Sequence, residues 1–550
     1  MQNAFRGLLL LAAAGLISWG LFSSDGISDA RWLGILGLAW LLLLLGTRIP
    51  LAPTLPTFNR TIIRTGLVLT TVFVIVTAQL VRIQVVEGDN IYYKTATAPD
   101  GEIIANPRTA SGDLDVARGR IYDRNGVVLA DTQLVDGQYL RSYPEPASAC
   151  VVGYYSPFLY GASGLELAYE KELSGAAGNN PITRVLKSLL HRPQTGADLS
   201  LTLDASLQGQ ALDLLGGSRG SVVVLDIRTG EVVVMASNPT YDPNQLFTTS
   251  ANDAAAKAYW QSLIDDPAAP LVTRGNLGLY TPGSTFKTVT AGIAIEEGLA
   301  KPDSVYEDNG QLDIDGRVLV ENNRPDEARD QWTLAEGIAW SLNVVLAQVG
   351  LQIGGTDLWK YGPRFGFGED IPFDLPVAES QLANGREVLS NKNALADTAF
   401  GQGQIQVTPL HMAMIAAMWA NDGRMMEPYL VDTVTDADGT VTRQAAPATW
   451  KTPVSPQTAN DVEQMMINAV QNGSVSGAAA DGYVVGGKTG TAETGDGTNH
   501  SWFIGFIGDP EPRYAVAVVL EGGSGGLSSA VSIGRDMLAG TIQARREEAS

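Results

Sequence analysis

The sequence predicts an α/β protein: one large domain built on a sheet with helices between its strands, a small mixed β-rich pedestal before it, and transmembrane helices at the N-terminus. Three observations carry this. Long apolar runs are confined to the first 90 residues. The stretch from Tyr92 to about Ala197 is turn-rich with short strand-like runs. From Asp198 onward, valine-rich strand pairs stand at both ends of a mainly helical middle.

The apolar runs, at about 5–22, 32–46 and 62–86, each approach the roughly 20 residues that cross a bilayer as helix. Cytoplasmic flanks collect Lys and Arg. Arg6 precedes the first run, Asp25 and Asp29 offset Arg31 in the first loop, and Arg48, Arg60 and Arg64 crowd the second. The N-terminus is therefore expected in the cytoplasm and everything from about Glu87 outside it. In the pedestal (91–197), Asp123-Arg124-Asn125-Gly126 marks a hairpin turn. In the large domain (198–550), a strand at Leu199–Leu203 and a helix at Ser206–Leu215 precede a hairpin, Ser221–Asp226 with Glu231–Met235. Helical patterns follow at Thr285–Glu297, Thr333–Gly350 and Pro409–Asn421. Strands return at Tyr483–Lys488, Ser501–Ile507 and Tyr514–Glu521. Early and late strands predict one sheet drawn from both ends of the domain.

Composition excludes several functions. With 37 Lys+Arg against 59 Asp+Glu the net charge is −22, and no basic block exists to hold a phosphate backbone, so no nucleic acid is expected. The single cysteine, Cys150, permits no intramolecular disulfide, and the scattered His191, His411 and His500 have no metal-ligand spacing. No metal or cofactor is expected.

Some motifs mislead. Gly482 to Thr489 fits a P-loop, but Gly490-Thr491-Ala492 and the glycines beyond break the helix that phosphate binding requires, and the compartment lacks ATP. The G-x-S-x-G matches around Ser218 and Ser524 lack the strand–turn–helix order or a downstream histidine. Asp436-Ala437-Asp438-Gly439 has no closing glutamate for a calcium loop and reads as a hairpin turn.

One constellation survives. In Pro282-Gly283-Ser284-Thr285-Phe286-Lys287, residues three apart share a helix face, so the Ser284 hydroxyl and the Lys287 amine can meet. Serine is a weak nucleophile, and a lysine serves as its base only if burial or nearby positive charge lowers its pKa toward neutrality. Ser341-Leu342-Asn343 follows in the helical middle, supplying a hydroxyl and an amide. Lys488-Thr489-Gly490-Thr491 ends a valine-rich strand, its glycine allowing close backbone approach. An earlier S-x-N, Ser250-Ala251-Asn252, is rejected on order.

S-x-x-K, S-D-N and K-T-G in that order are the signature of penicillin-recognising serine acyltransferases, here with Leu342 at the middle position of the second motif. The chain further resembles a class B penicillin-binding protein, a membrane-anchored, monofunctional peptidoglycan D,D-transpeptidase. The resemblance rests on Asn106-Pro107-Arg108, Arg118 to Gly126, Val224 to Val232, Ala236 to Pro239, and Gly401-Gln402-Gly403 followed by Thr408-Pro409-Leu410. It departs from the family in its N-terminal hairpin of membrane helices, since such proteins usually carry one anchor.

The resemblance implies a central antiparallel sheet flanked by helices and a bacterial cell membrane as location. It implies that Ser284 attacks the penultimate D-alanine carbonyl of a D-Ala-D-Ala stem peptide, with Lys287 as base. Ser341 would relay a proton to the leaving amine, and Lys488 would lower its pKa and attract the substrate carboxylate. The Thr489-Gly490-Thr491 strand would hold that carboxylate, Asn343 the peptide amide, and the backbone amides of Ser284 and Thr491 the oxyanion. β-Lactams would be inhibitors. About a hundred residues between anchor and catalytic segment are too few for a glycosyltransferase, so polymerisation would fall to a SEDS-type membrane partner. A membrane-anchored β-lactam sensor would need a cytoplasmic effector, and the inside loops are short; a catalytically silent scaffold would not need Ser284, Lys287, Ser341 and Lys488.

Overall fold

The computed structural model describes residues 2–22, 28–86, 96–97, 103–104, 116–176, 195–249, 253–495, 497–523 and 526–548. Asn106-Pro107-Arg108, His191 and Ser250-Ala251-Asn252 lie outside the described residues.

Contacts divide the chain into two compact units, 1–109 with 176–193, and 110–175 with 194–550. Among its described residues the first contains three helices long and apolar enough to cross a membrane: α1 (Gln2–Phe22), α2 (Asp29–Gly46) and α3 (Thr57–Val81). Between apolar helices in lipid, polar side chains act as glue. Here the Trp32 indole donates to Gln79 Oε1 at 2.6 Å, the Trp40 indole to Thr71 Oγ1 at 3.2 Å, and Arg82 pairs with Asp29 at 3.0 Å, tying α2 to α3.

The second unit opens with strands β1 (Ile121–Tyr122), β2 (Val128–Val135), β3 (Gln138–Ser142) and β4 (Asp198–Leu201). Helix α4 (Ala205–Leu215), N-capped by Asp204, leads to the hairpin β5 (Gly220–Asp226) and β6 (Val232–Asn238). Next come α5 (Lys287–Glu296), a small hairpin β7 (Gln311–Ile314) and β8 (Arg317–Val320), α6 (Leu334–Ala339), α7 (Asn343–Ile353) and α8 (Pro409–Trp419). Strands β9 (Val431–Thr435) and β10 (Val441–Gln444) then flank the Asp436–Gly439 turn, so the expected hairpin forms there. Helix α9 (Pro456–Asn472), strands β11 (Val484–Glu493), β12 (Asn499–Gly508) and β13 (Pro512–Leu520), and helix α10 (Gly526–Glu548) complete the chain.

The central sheet runs β6-β5-β13-β12-β11, antiparallel throughout, so its strands come from both ends of the domain as expected. Side chains alternate between faces with period two. Ala515, Ala517 and Val519 of β13 join the core around α8, whose residues are all buried; Val516, Val518 and Leu520 meet α10 through Ile533, Met537 and Leu538. Both faces are covered, which explains strands that read as continuous apolar runs.

A second sheet runs β10-β9-β4-β1-β2-β3, with β1 and β4 parallel. It draws strands from both sides of residue 197, a pairing across 230 residues that no local pattern signals. Beside it a carboxylate is buried between two arginines: Arg118 Nε and Arg141 Nε donate to Glu166 at 3.0 and 2.6 Å, and the Tyr143 hydroxyl adds a third bond at 3.2 Å. Burial alone would push the Glu166 carboxyl up, yet the charges of Arg141 and Arg118 hold it below the usual carboxylate range.

Thr333–Gly350, read from sequence as one helix, is two. Helix α6 starts at a capping box, Thr333 with Glu336, and stops at Ala339; Ser341 then adopts φ 62° before α7 begins at Asn343. Apolar periodicity continues across the break, which is why it hid the turn.

Removing one partner from a buried ion cluster leaves charge uncompensated. Glu166→Gln should destabilise the folded ectodomain by about 3–5 kcal/mol in a denaturant titration of the full chain. Arg120→Ala, which breaks the partly exposed pair with Asp131 and a bond to Tyr122, should cost less than about 1 kcal/mol.

Candidate active site

The segment Gly283–Phe286 forms a 3₁₀ turn that runs into α5 at Lys287. In a 3₁₀ turn residues i and i+3 eclipse, which stacks Ser284 on Lys287. The turn is wedged between two other backbones. A Cβ on Gly283, at φ 55°, would stand 2.5 Å from the Thr491 carbonyl oxygen, and one on Gly401 would stand 1.8 Å from the Gly283 carbonyl oxygen. Only glycine fits such approaches. The Trp502 indole of β12 donates to Thr281 O at 3.0 Å, and Tyr280 exchanges two 2.9 Å backbone bonds with Val407.

Ser284 is half-buried, whereas Lys287 and Lys488 are both 0% exposed. The Lys287 amine donates to Ser341 O at 2.6 Å, Asn343 Oδ1 at 2.7 Å and Ser341 Oγ at 3.3 Å. From β11, Lys488 donates to the same Ser341 hydroxyl at 2.8 Å and to Thr489 O at 3.1 Å. The positive φ of Ser341 is what turns both its carbonyl and its hydroxyl toward the lysines, and a non-glycine residue there costs of order 1–3 kcal/mol.

Burial penalises the charged amine and lowers Lys287 to about 7, against a smaller opposing pull from the Glu321 carboxylate. Lys488 is also held well below the usual lysine range, by burial and then by the charge of Lys287. Near neutral pH a share of the Lys287 amine is therefore neutral and able to accept a proton from a hydroxyl at its side.

Hydrogen bonds bring Lys287, Ser341, Asn343 and Lys488 together, and Ser284 stands on the adjoining turn, its carbonyl accepting the Lys287 backbone amide. Thr489 is buried and Thr491 exposed on the same strand, with Gly490 close enough to Pro282 that a Cβ would lie 2.6 Å from its carbonyl oxygen. Gln402 Nε2 donates to Thr491 O at 3.0 Å, anchoring the peptide after the K-T-G.

Two neighbours escaped the sequence reading. Glu321 and Asn323 follow β8 and reach the S-x-N turn, but a lone acidic residue in a polar loop has no spacing signature. Gln402 stood in a motif whose wording was legible and whose contact was not. The misleading motifs resolve physically. Lys488 lies mid-strand rather than before a helix, Ser218 lies between α4 and β5, and residues 524–525 lie outside the described residues. His500 accepts from the Gly522 amide at 3.3 Å and meets the Tyr280 ring edge-on at 5.3 Å. Cys150 is buried and donates to Met235 O at 3.0 Å, and burial pushes its thiol up to about 11.

A serine on the turn that carries a buried amine lowered to about 7, with a second amine across a bridging hydroxyl, is equipment for acyl transfer, and the sheet and helices around it are those of penicillin-recognising serine enzymes. Comparison with known proteins narrows the class. Residues 220–539 match the penicillin binding protein transpeptidase domain and residues 118–199 the penicillin binding protein A dimerisation domain. The chain is 35% identical over 471 residues to the peptidoglycan D,D-transpeptidase PbpA of Mycolicibacterium smegmatis, covering 81% of this chain and 94% of that one. Penicillin-binding protein A of M. tuberculosis, solved as a ceftriaxone acyl-enzyme complex, superposes with a TM-score of 0.72 at 31% identity over 78% of this chain and 99% of that one. The D,D-transpeptidase domain of a peptidoglycan glycosyltransferase from Eggerthella lenta gives 0.68 at 35% identity, with coverage of 78% and 99%. The chain belongs to the class B penicillin-binding proteins, the serine-type peptidoglycan D,D-transpeptidases.

If Lys287 is the base it acts only when neutral, and acylation by a fluorescent penicillin should then rise with pH through about 7 and level. Linkage gives a second expectation. Between about 7 and 10.5 the unfolded chain holds a proton on Lys287 that the folded chain has shed, so stability rises with pH in that window. Thermal melts at successive pH values should show this rise below pH 9, and Lys287→Met should reduce its slope, leaving the part due to Lys488.

Proposed function

We propose that Ser284 is the nucleophile of the cross-linking reaction and Lys287 its base. The observation that carries this reading is the pair of buried lysine amines converging on one hydroxyl, Ser341, beside the Ser284 turn. The Ser284 proton passes to Lys287 as Oγ bonds the carbonyl carbon of the penultimate D-alanine, with negative charge gathering on the carbonyl oxygen. The amides of Ser284 and Thr491 receive that charge, each donor being worth roughly 3 kcal/mol in sites of this kind. As the C–N bond breaks, Ser341 hands a proton to the departing D-alanine amine and is resupplied from Lys488 or Lys287. An acceptor amine then attacks the ester, forms the new amide, and returns Ser284 to its hydroxyl. Asn343 faces the donor peptide, while Lys488 and the Thr489-Gly490-Thr491 strand attract and hold its carboxylate. A β-lactam takes the donor's place and stalls as an acyl-enzyme.

Three further parts belong to the proposal. The chain works as a membrane anchor (1–90), a pedestal (91–197) and a catalytic domain (198–550). The arginine-rich second loop supports a cytoplasmic N-terminus with the catalytic domain outside. The glycan polymerase is supplied by a SEDS-type membrane partner, since the segment between anchor and catalytic domain is too short for one.

Incubation with a fluorescent penicillin should give a covalent band with the intact protein and none with Ser284→Ala. A folded Ser284→Ala that still labels would remove Ser284 as nucleophile.

A further inference from the structure

Beyond the three motifs, one buried carboxylate reaches the site from an element that carries none of them. Glu321 follows β8, its backbone amide bonded to Gly310 O at 2.9 Å, and it is 7% exposed. A carboxylate buried this far must be satisfied by donors. One oxygen, Oε1, accepts from the backbone amides of Asn322 and Asn323 at 3.0 Å each. The other accepts from the amide of Val344 at 2.9 Å, in the first turn of α7, where a negative charge complements the helix end. Helix α7 begins at Asn343, so Glu321 fixes the backbone that carries the amide of the S-x-N motif. The bond to Asn323 extends the reach, because Asn323 Nδ2 donates at 3.0 Å to Ser341 O, the carbonyl that also takes the Lys287 amine.

We propose that Glu321 is a positioning residue for acyl transfer, its buried carboxylate holding the Ser341–Asn343 turn in register with Lys287. It touches neither the reacting atoms nor the substrate; it acts through Ser341, Asn343 and Lys287. The strained φ of Ser341 requires support from outside the turn, and the Glu321–Asn323 brace supplies it from one side while Lys287 supplies it from the other. Electrostatically, Glu321 opposes the burial that discharges Lys287. Among the described residues the charged groups facing Lys287 are Lys488, from β11, and Glu321, from the segment after β8; Ser341 and Asn343 face it as neutral partners. Without the carboxylate charge, burial acts unopposed, and Lys287 loses its proton at lower pH.

The inference rests on Lys287 being the base of Ser284, and the test separates the two. The full-length protein in detergent is acylated with a fluorescent penicillin across the pH range on either side of the Lys287 titration at about 7. In Glu321→Gln the rising limb should move to lower pH by about half a unit or more, with the plateau reduced about three- to tenfold. In Glu321→Asp, which keeps the charge, the limb should stay in place while the plateau falls. A wild type without the rising limb removes Lys287 as base and this inference with it. A wild type with the limb and a folded Glu321→Gln whose limb does not move overturns this inference alone. Should Glu321→Gln fail to fold by circular dichroism and gel filtration, Asn323→Ala decides. A reduced plateau with an unmoved limb supports the brace, and acylation at the wild-type rate overturns it.

Discussion

Two lysine amines with no solvent access converge on one hydroxyl, and the rest of the catalytic unit is organised by that constraint. Water would restore both ammonium charges, so the amines must be kept dry, and keeping them dry takes a sheet covered on both faces. Strand β11 brings Lys488 in from one side with α9 against it; α5 brings Lys287 from the other; and α8, buried along its whole length, fills the space beneath. The hydrophobic core thus does chemical work, because desolvation is the largest influence on both lysines.

The same constraint explains where the backbone is tight. Three chain segments far apart in sequence, around Gly283, Gly401 and Thr491, meet without room for a side chain between them. The Ser341 turn accepts an unfavourable angle to present a carbonyl and a hydroxyl to the same pair of amines. A loop that was small, polar and unremarkable in sequence supplies the carboxylate that answers it.

Much of this is legible in the sequence, for identifiable reasons. Val-rich strands such as Ser221–Asp226 declare themselves because a sheet covered on both faces leaves no polar alternation, and the order of S-x-x-K, S-x-N and K-T-G survives any arrangement of the elements between. The break between α6 and α7 was not legible, since the apolar positions on both helices face one core and keep the periodicity intact through Trp340–Leu342. Nor was the second sheet: β9 pairs with β4 through contacts set by tertiary structure alone, and β1 and β4 are too short to announce their partners. The brace at Glu321 was hidden for a third reason, namely that a capping carboxylate donated from another element has no fixed distance from the helix it caps.

The six-stranded sheet that joins the two sides of residue 197 has a practical corollary. Strand β4 lies between β9 and β1, so a protein cut to begin at Asp198 would keep the catalytic motifs yet expose one whole side of β4 as an unpaired edge. An open edge of this kind is a template for pairing with other chains. The smaller sheet therefore works as a seal on the flank of the enzyme, and a soluble form that stays dispersed has to begin ahead of Arg118 rather than at the start of the family's catalytic segment.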